Sequence, residues 1–217
     1  MRATRLLFAA IVPVVVVASV AVASQFKNVF VDTGSVATTG FSGGTADAQT
    51  KVGYDQEFIT DIAWAEYADH PCSFTVTGAH RFQDKWEEAA PVQASIPSGC
   101  KDTSSQFRVR SHFDHTDPSQ GTFVSGIQIC RSDKDDSDKE RLKGIRIKTS
   151  TVDANGVVSD GVGGEDDHKL AHCKTWESWQ TCKPGYLARR IVVGSVGPSA
   201  KSIALECAPV YTGARPK

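Results

Sequence analysis

Trp176 and Trp179 are the side chains of this sequence best suited to holding a ligand. An indole offers a flat apolar face that stacks on the C–H face of a sugar ring, and its N–H donates a hydrogen bond. The two stand at i, i+3 spacing, and 64 positions earlier His112 and His115 stand at the same spacing. The four together form a candidate carbohydrate-binding set, a ring of aromatic and imidazole groups at one end of a repetitive fold. The competing reading is that they plug that end or pack beneath a turn, since tryptophan in a small domain is mostly packing.

Other clusters carry weaker chemistry. His112-Phe-Asp114-His115-Thr-Asp117 places two imidazoles and two carboxylates close together, but in no ordered zinc ligand set. On a strand His112 and His115 would point to opposite faces, and an exposed turn ending at Pro118 is the preferred reading of the cluster. His168-Lys-Leu-Ala-His172-Cys173 adds a cysteine that oxidation would claim before a metal, so no metal is expected. Calcium has two soft candidates. One is the group Asp133, Asp135, Asp136 and Asp138; the other is Asp153-Ala-Asn155-Gly156 with Asp160 and Glu165-Asp166-Asp167. Neither matches a calcium loop, and solvated loops are the default. No nucleophile elbow, phosphate loop or dinucleotide fingerprint occurs. Glycosidase chemistry needs two carboxyls facing one groove. Glu87-Glu88 beside Trp86, with Asp84, is the single acidic–aromatic cluster near that description, so an enzyme is not the first expectation.

What must position these residues is a long repeat. Phe58-x-x-x-Ile62-x-Trp64, Phe123-x-x-x-Ile127-x-Ile129 and Leu187-x-x-x-Ile191-x-Val193 share one pattern, their leading residues 65 and then 64 positions apart. A period of this length implies one supersecondary unit used three times. Strict alternation in Ser73-Phe-Thr-Val-Thr77, Phe107-Arg-Val-Arg110 and Gly144-Ile-Arg-Ile-Lys148 implies strands with one face in a core. Asn155-Gly156 between valines predicts a hairpin turn. Helix-compatible stretches are few; Asp84 to Ala90 could form a helical turn or two before Pro91 ends it. A second strand follows each phrase, at Phe74/Val76, Ile145/Ile147 and Ile203/Leu205. The middle one is delayed by a charged insertion, 131–141. Four strands in each repeat of about 64 residues predict an all-β fold, a β-prism of three quasi-repeated four-stranded sheets.

The first residues set the compartment. Arg2 and Arg5 precede an apolar run from Leu6 to Val22, and Ala21-Val22-Ala23 supplies a cleavage site. These features predict a secretory signal over 1–23 and a single domain over 24–217. The competing reading is a membrane anchor, against which Pro13 and the cleavage site argue. No membrane insertion of the mature chain is expected. Six cysteines remain: Cys72, Cys100, Cys130, Cys173, Cys182 and Cys207. An even number in an exported chain favours disulfides, with fifteen pairings open. A formal charge of −1 gives no reason to expect a nucleic-acid or anionic-membrane partner.

Trp176-x-x-Trp179-x-x-Cys182-x-x-Gly185-x-x-Ala188, then Ile191-x-Val193 and Ile203-x-Leu205-x-Cys207, resembles the repeat unit of the vitelline membrane outer layer protein I family. The middle repeat matches more loosely through Phe123-x-x-Gly126-Ile127 and Leu142-x-Gly144-Ile145. Arg190 departs from the family pattern, which has a glycine there. The resemblance implies a secreted, disulfide-bonded β-prism associated with extracellular coats, with a glycan or matrix component as partner. Its alternatives are a glycan-active enzyme on chito-oligosaccharides and a secreted protein-interaction module using the 131–141 loop.

Overall fold

The structure is a computed structural model that describes residues 28–213, apart from 45, 68–69, 98–99, 101–104, 133–141 and 198. The expected signal segment lies outside the described residues, as do Asp133, Asp135, Asp136 and Asp138 of the charged insertion. Fifteen strands run in chain order as β1 (Val29–Val31), β2 (Ala37–Thr38), β3 (Ala48–Gly53), β4 (Phe58–Tyr67) and β5 (His70–Phe82). They continue as β6 (Lys85–Glu88), β7 (Val92–Ser95), β8 (Ser105–Arg110), β9 (Gln120–Arg131) and β10 (Leu142–Asp153). The last five are β11 (Val158–Lys169), β12 (Thr175–Trp176), β13 (Gln180–Thr181), β14 (Tyr186–Val196) and β15 (Ser199–Thr212). Among the described residues there is no α-helix.

The three repeated phrases form the first arms of three long antiparallel hairpins, β4–β5, β9–β10 and β14–β15. Their registers coincide. Ile62 faces Val76 and Trp64 faces Phe74; Ile127 faces Ile147 and Ile129 faces Ile145; Ile191 faces Leu205 and Val193 faces Ile203. All twelve side chains are buried in one core. Because a strand alternates its faces, each hairpin turns every second residue inward. Burying an aliphatic side chain of this size contributes about 1.5–3 kcal/mol.

Each hairpin gains a full strand on one side and a broken one on the other. The first sheet is β8-β4-β5, with β6 and β7 both pairing β5. The second is β11-β10-β9, with β12 and β13 both pairing β9. The third is β3-β14-β15, with β2 and β1 both pairing β15. Three sheets, each four strand positions wide and turning their apolar faces to a shared core, make a β-prism. Valine 29 of β1 also pairs Arg81 of β5, which stitches the third sheet to the first.

The third sheet is not a contiguous block of sequence. Its hairpin is C-terminal, and its flanking strands β1, β2 and β3 come from residues 29–53. The chain therefore closes on itself, with Val29 beside Thr212. The leading residues of the three phrases, Phe58, Phe123 and Leu187, meet in a separate buried cluster with Val29, Val31 and Trp86. Phe58 and Phe123 stand edge to face, 5.7 Å between ring centres. This layer closes one end of the prism.

The stretch from Asp84 forms strand, not helix, because Trp86 is drawn into that end layer and β6 pairs along β5. Asn155-Gly156 makes the β10–β11 turn as expected: Gly156 takes φ +80°, and Asp153 and Val157 are joined across it. The six cysteines form Cys72–Cys100, Cys130–Cys173 and Cys182–Cys207. The last ties the segment after β13 to β15, and so joins the second sheet to the third.

Candidate functional site

On β10 the alternation that sends Ile145 and Ile147 inward sends Arg146 and Lys148 outward. Two short strands, β12 and β13, lie on the far side of β9; Trp176 ends β12, and Trp179 lies between the two. Both indoles are partly buried, and both reach across β9 to β10. The Arg146 guanidinium carbon lies 4.3 Å from the centre of the Trp176 ring, and Lys148 Nζ lies 4.3 Å from that of Trp179. Gly126 of β9 makes room for the second contact. A Cβ there would come within 3.0 Å of Thr181 Cγ2 and 3.2 Å of Lys148 Cβ.

On their other side the same two cations meet β11. Arg146 Nη2 is 3.9 Å from Asp167 Oδ2, and Lys148 Nζ is 3.6 Å from Glu165 Oε1. The outer face of the second sheet thus carries two parallel rows, each reading aromatic, cation, carboxylate. Their spacing along the strand is two residues, or about 6.7 Å. Gln128, under the first row, donates its amide to the Glu177 carbonyl, and Glu177 Oε1 in turn pairs with Arg131 Nε at 3.2 Å. A cation on an indole face contributes about 0.5–1 kcal/mol at an exposed site and holds the ring in one orientation.

His112 and His115 do not join this arrangement. Both are exposed in the connection from β8 to β9. The 64-residue offset fails here for a topological reason. Residues before β14 are used as the broken edge of the second sheet, whereas residues before β9 bridge two sheets. The four expected carbohydrate-binding residues are therefore divided between two surfaces. Asp114 and Asp117 are held within successive tight turns. Asp114 Oδ1 accepts from Thr116 Oγ1 and N, Asp117 Oδ1 accepts from Ser119 Oγ and N, and these bonds lower both carboxyls below the ordinary carboxylate range.

His112 borders a polar groove of about 360 Å³ on the first sheet, lined also by Thr60, Asp61, Glu88, Arg108, Arg110 and Phe113. Asp61 is bound by Arg108. Trp86, beside which Glu87 and Glu88 were singled out, is buried between Phe113 and Phe123 at 6.1 and 5.3 Å. Its ring is closed to a sugar, although Glu88 does reach the groove.

The remaining clusters have structural partners. His168 packs on Phe107 at 4.6 Å and edge-on to Trp64 at 5.7 Å, while His172 is exposed and Cys173 is oxidised. Asp153 accepts from the Asn155 and Val157 amides, Asp160 from Gly185 N, and Asp166 from Arg110 N. Among the described residues no three His, Cys, Asp or Glu side chains group as a metal site. Reading the sequence by motif missed Arg146 and Lys148, and took Glu165 and Asp167 only as part of a soft calcium candidate. The signal was present in the Gly144–Lys148 alternation, whose polar positions were bound to share one outer face.

No family model matches the chain, and no curated protein matches it in sequence. Solved structures similar to it include Calystegia sepium agglutinin, at 13% identity and TM-score 0.47 over 80% of this chain and 96% of that one. A mannose-specific jacalin-related lectin from Morus nigra, in complex with mannose, is similar at 12% identity and TM-score 0.45, covering 80% and 94%. An artocarpin–mannotriose complex is similar at 11% and 0.45, covering 80% and 97%. At such identities no residue's role passes from one chain to another.

Proposed function

We propose that this chain is a secreted carbohydrate-binding protein of the vitelline membrane outer layer protein I type, which takes an extracellular glycan or matrix component on the outer face of its second sheet. The observation that carries the reading is the pair of aromatic–cation–carboxylate rows. Each indole is fixed by the cation against it and presents apolar ring beside groups that donate and accept hydrogen bonds. A pyranose has matching chemistry: a C–H face for the ring and a rim of hydroxyls for Arg146, Lys148, Glu165 and Asp167. The two-residue spacing suits an oligosaccharide that engages both rows at once. Three disulfides and a prism of three sheets agree with what the resemblance at residues 176–207 implies, and cysteines paired throughout suit an exported chain.

The test is retention of the oxidised chain on a panel of immobilised polysaccharides that includes chitin, with the soluble fraction assayed for new oligosaccharides. Saturable retention, lost in Trp176→Ala/Trp179→Ala while the melting temperature holds, is the expected result. Retention unchanged in that variant would overturn the assignment of this face. New oligosaccharide products would make the protein an enzyme instead.

A further inference from the structure

The groove on the first sheet has a composition that the tryptophan face does not. Strand β8 turns Arg108 and Arg110 to the same side, and Asp61 of the neighbouring β4, opposite Arg110 in register, forms its ion pair with Arg108. Arg110 has no such partner. Its backbone N–H is taken by Asp166 at 2.7 Å, but its guanidinium is in ion-pair contact with no carboxylate among the described residues. His112 lines the same groove with its backbone at φ +60°, a left-handed conformation that an L-residue other than asparagine or glycine adopts at a cost. Phe113 supplies an apolar wall and is held rigid by Trp86 and Phe123. Glu88 offers an acceptor, and the 360 Å³ volume falls within the range of small-ligand sites, roughly 300–1,000 Å³.

We infer that this groove is a second binding site, for the anionic group of an acidic sugar, with Arg110 as the fork that grips the carboxylate or sulfate. A guanidinium with no ion-pair partner among the described residues meets either oxyanion with two parallel N–H donors. His112, which lines the same groove, donates a further bond from its imidazole. Glu88 and the Arg108-bound Asp61 accept from ring hydroxyls, and Phe113 packs against the ring. The groove's lining shares no residue with the tryptophan rows.

The experiment is calorimetric titration of the oxidised chain, at low ionic strength, with three probes of equal length. One is a uronic-acid trisaccharide, one a sulfated trisaccharide and one a neutral trisaccharide. Either anionic probe should bind about tenfold or more tightly than it does to Arg110→Gln, the loss expected for a charge-assisted pair. Affinity should fall as salt rises. In the Trp176→Ala/Trp179→Ala background, which removes the tryptophan face, the anionic probes should still bind and Arg110→Gln should still weaken them, which separates this site from that face. Preference for one anionic probe would identify its oxyanion as the one recognised. His112→Gly removes the imidazole while relieving the left-handed backbone. It should keep or raise the melting temperature and still weaken binding. In the Trp176→Ala/Trp179→Ala background, failure of both anionic probes to bind, or equal binding after Arg110→Gln, or equal affinity for the neutral probe, would overturn the inference.

Discussion

Replacing Glu206 with glutamine removes the hub of the charge network on the third sheet. Glu206 Oε1 accepts from Arg189 Nε at 2.7 Å and Arg190 Nη1 at 3.0 Å, and Oε2 accepts from Lys51 Nζ at 2.8 Å. Burial alone would raise this carboxyl, but the hydrogen bonds and charges of Lys51 and Arg189 prevail and lower it from 4.5 to about 2. At roughly 1.4 kcal/mol per pH unit that difference is about 3 kcal/mol of stability at neutral pH. Lys51 is 56% exposed, so its share is screened by solvent. We therefore expect about 2–3 kcal/mol. The folded-state value lies below the unfolded one, so the contribution is complete above about pH 4.5 and is lost as pH falls toward 2. Urea unfolding at fixed ionic strength, followed by tryptophan fluorescence, should show Glu206→Gln less stable at pH 7 by a midpoint shift on the order of 1 M. The two curves should converge near pH 2, where the wild-type carboxyl also carries a proton. A gap of constant size from pH 7 to pH 2 would refute the electrostatic account and assign the loss to packing.

Tyr54, whose hydroxyl donates to the Val76 and Ala90 carbonyls, is pushed up to about 12 chiefly by burial. Ultraviolet titration should find one tyrosine still protonated when the exposed ones have ionised, and stability should decline between pH 10 and 12 in the wild type but not in Tyr54→Phe. Opening Cys182–Cys207 as the double serine variant should lower stability by about 3 kcal/mol in calorimetry, from a 25-residue separation. Ile127→Ala removes a fully buried side chain from the middle of the core and should cost about 2–5 kcal/mol in the same measurement. Gly43→Ala should also destabilise, because φ is +102° and a Cβ would meet Lys201 O and Ile129 Cδ1 at 2.6 Å.

The hairpins were legible because their information is local and periodic. Ile62, Ile127 and Ile191 declare an inward face, and a phrase repeated at near-constant spacing declares three such faces. The source of each flanking strand was not legible. Strand β12 belongs to the second sheet although it precedes the third hairpin, and β1 to β3 belong to a sheet whose hairpin comes last; pairing across such distances leaves no periodic trace. The candidate site divides the same way. Trp176 and Trp179 stand out by residue type, whereas Arg146 and Lys148 become partners only when β9 is known to separate them from β12 and β13. The equivalence of His112 and His115 to the tryptophans assumed a consecutive repeat, and the crossed order of the sheets breaks it. Trp86 looked available beside Glu87 and Glu88 because nothing local announces that Phe113 and Phe123 enclose it.

The closure of the third sheet by both ends of the described chain has a consequence for how the protein is made. Strands β1 to β3 leave the ribosome first, yet their partners β14 and β15 are the last to appear. Until then their backbone donors and acceptors must stay solvated or be shielded by a holding factor, because unpaired edges invite association between chains. A product cut short before β14 would lack the hairpin of the third sheet and, with Leu187 and Ala208 gone, open the Phe58–Phe123 layer to water. Completion of the third sheet thus waits on the β14–β15 hairpin, which supplies strand partners to β1, β2 and β3.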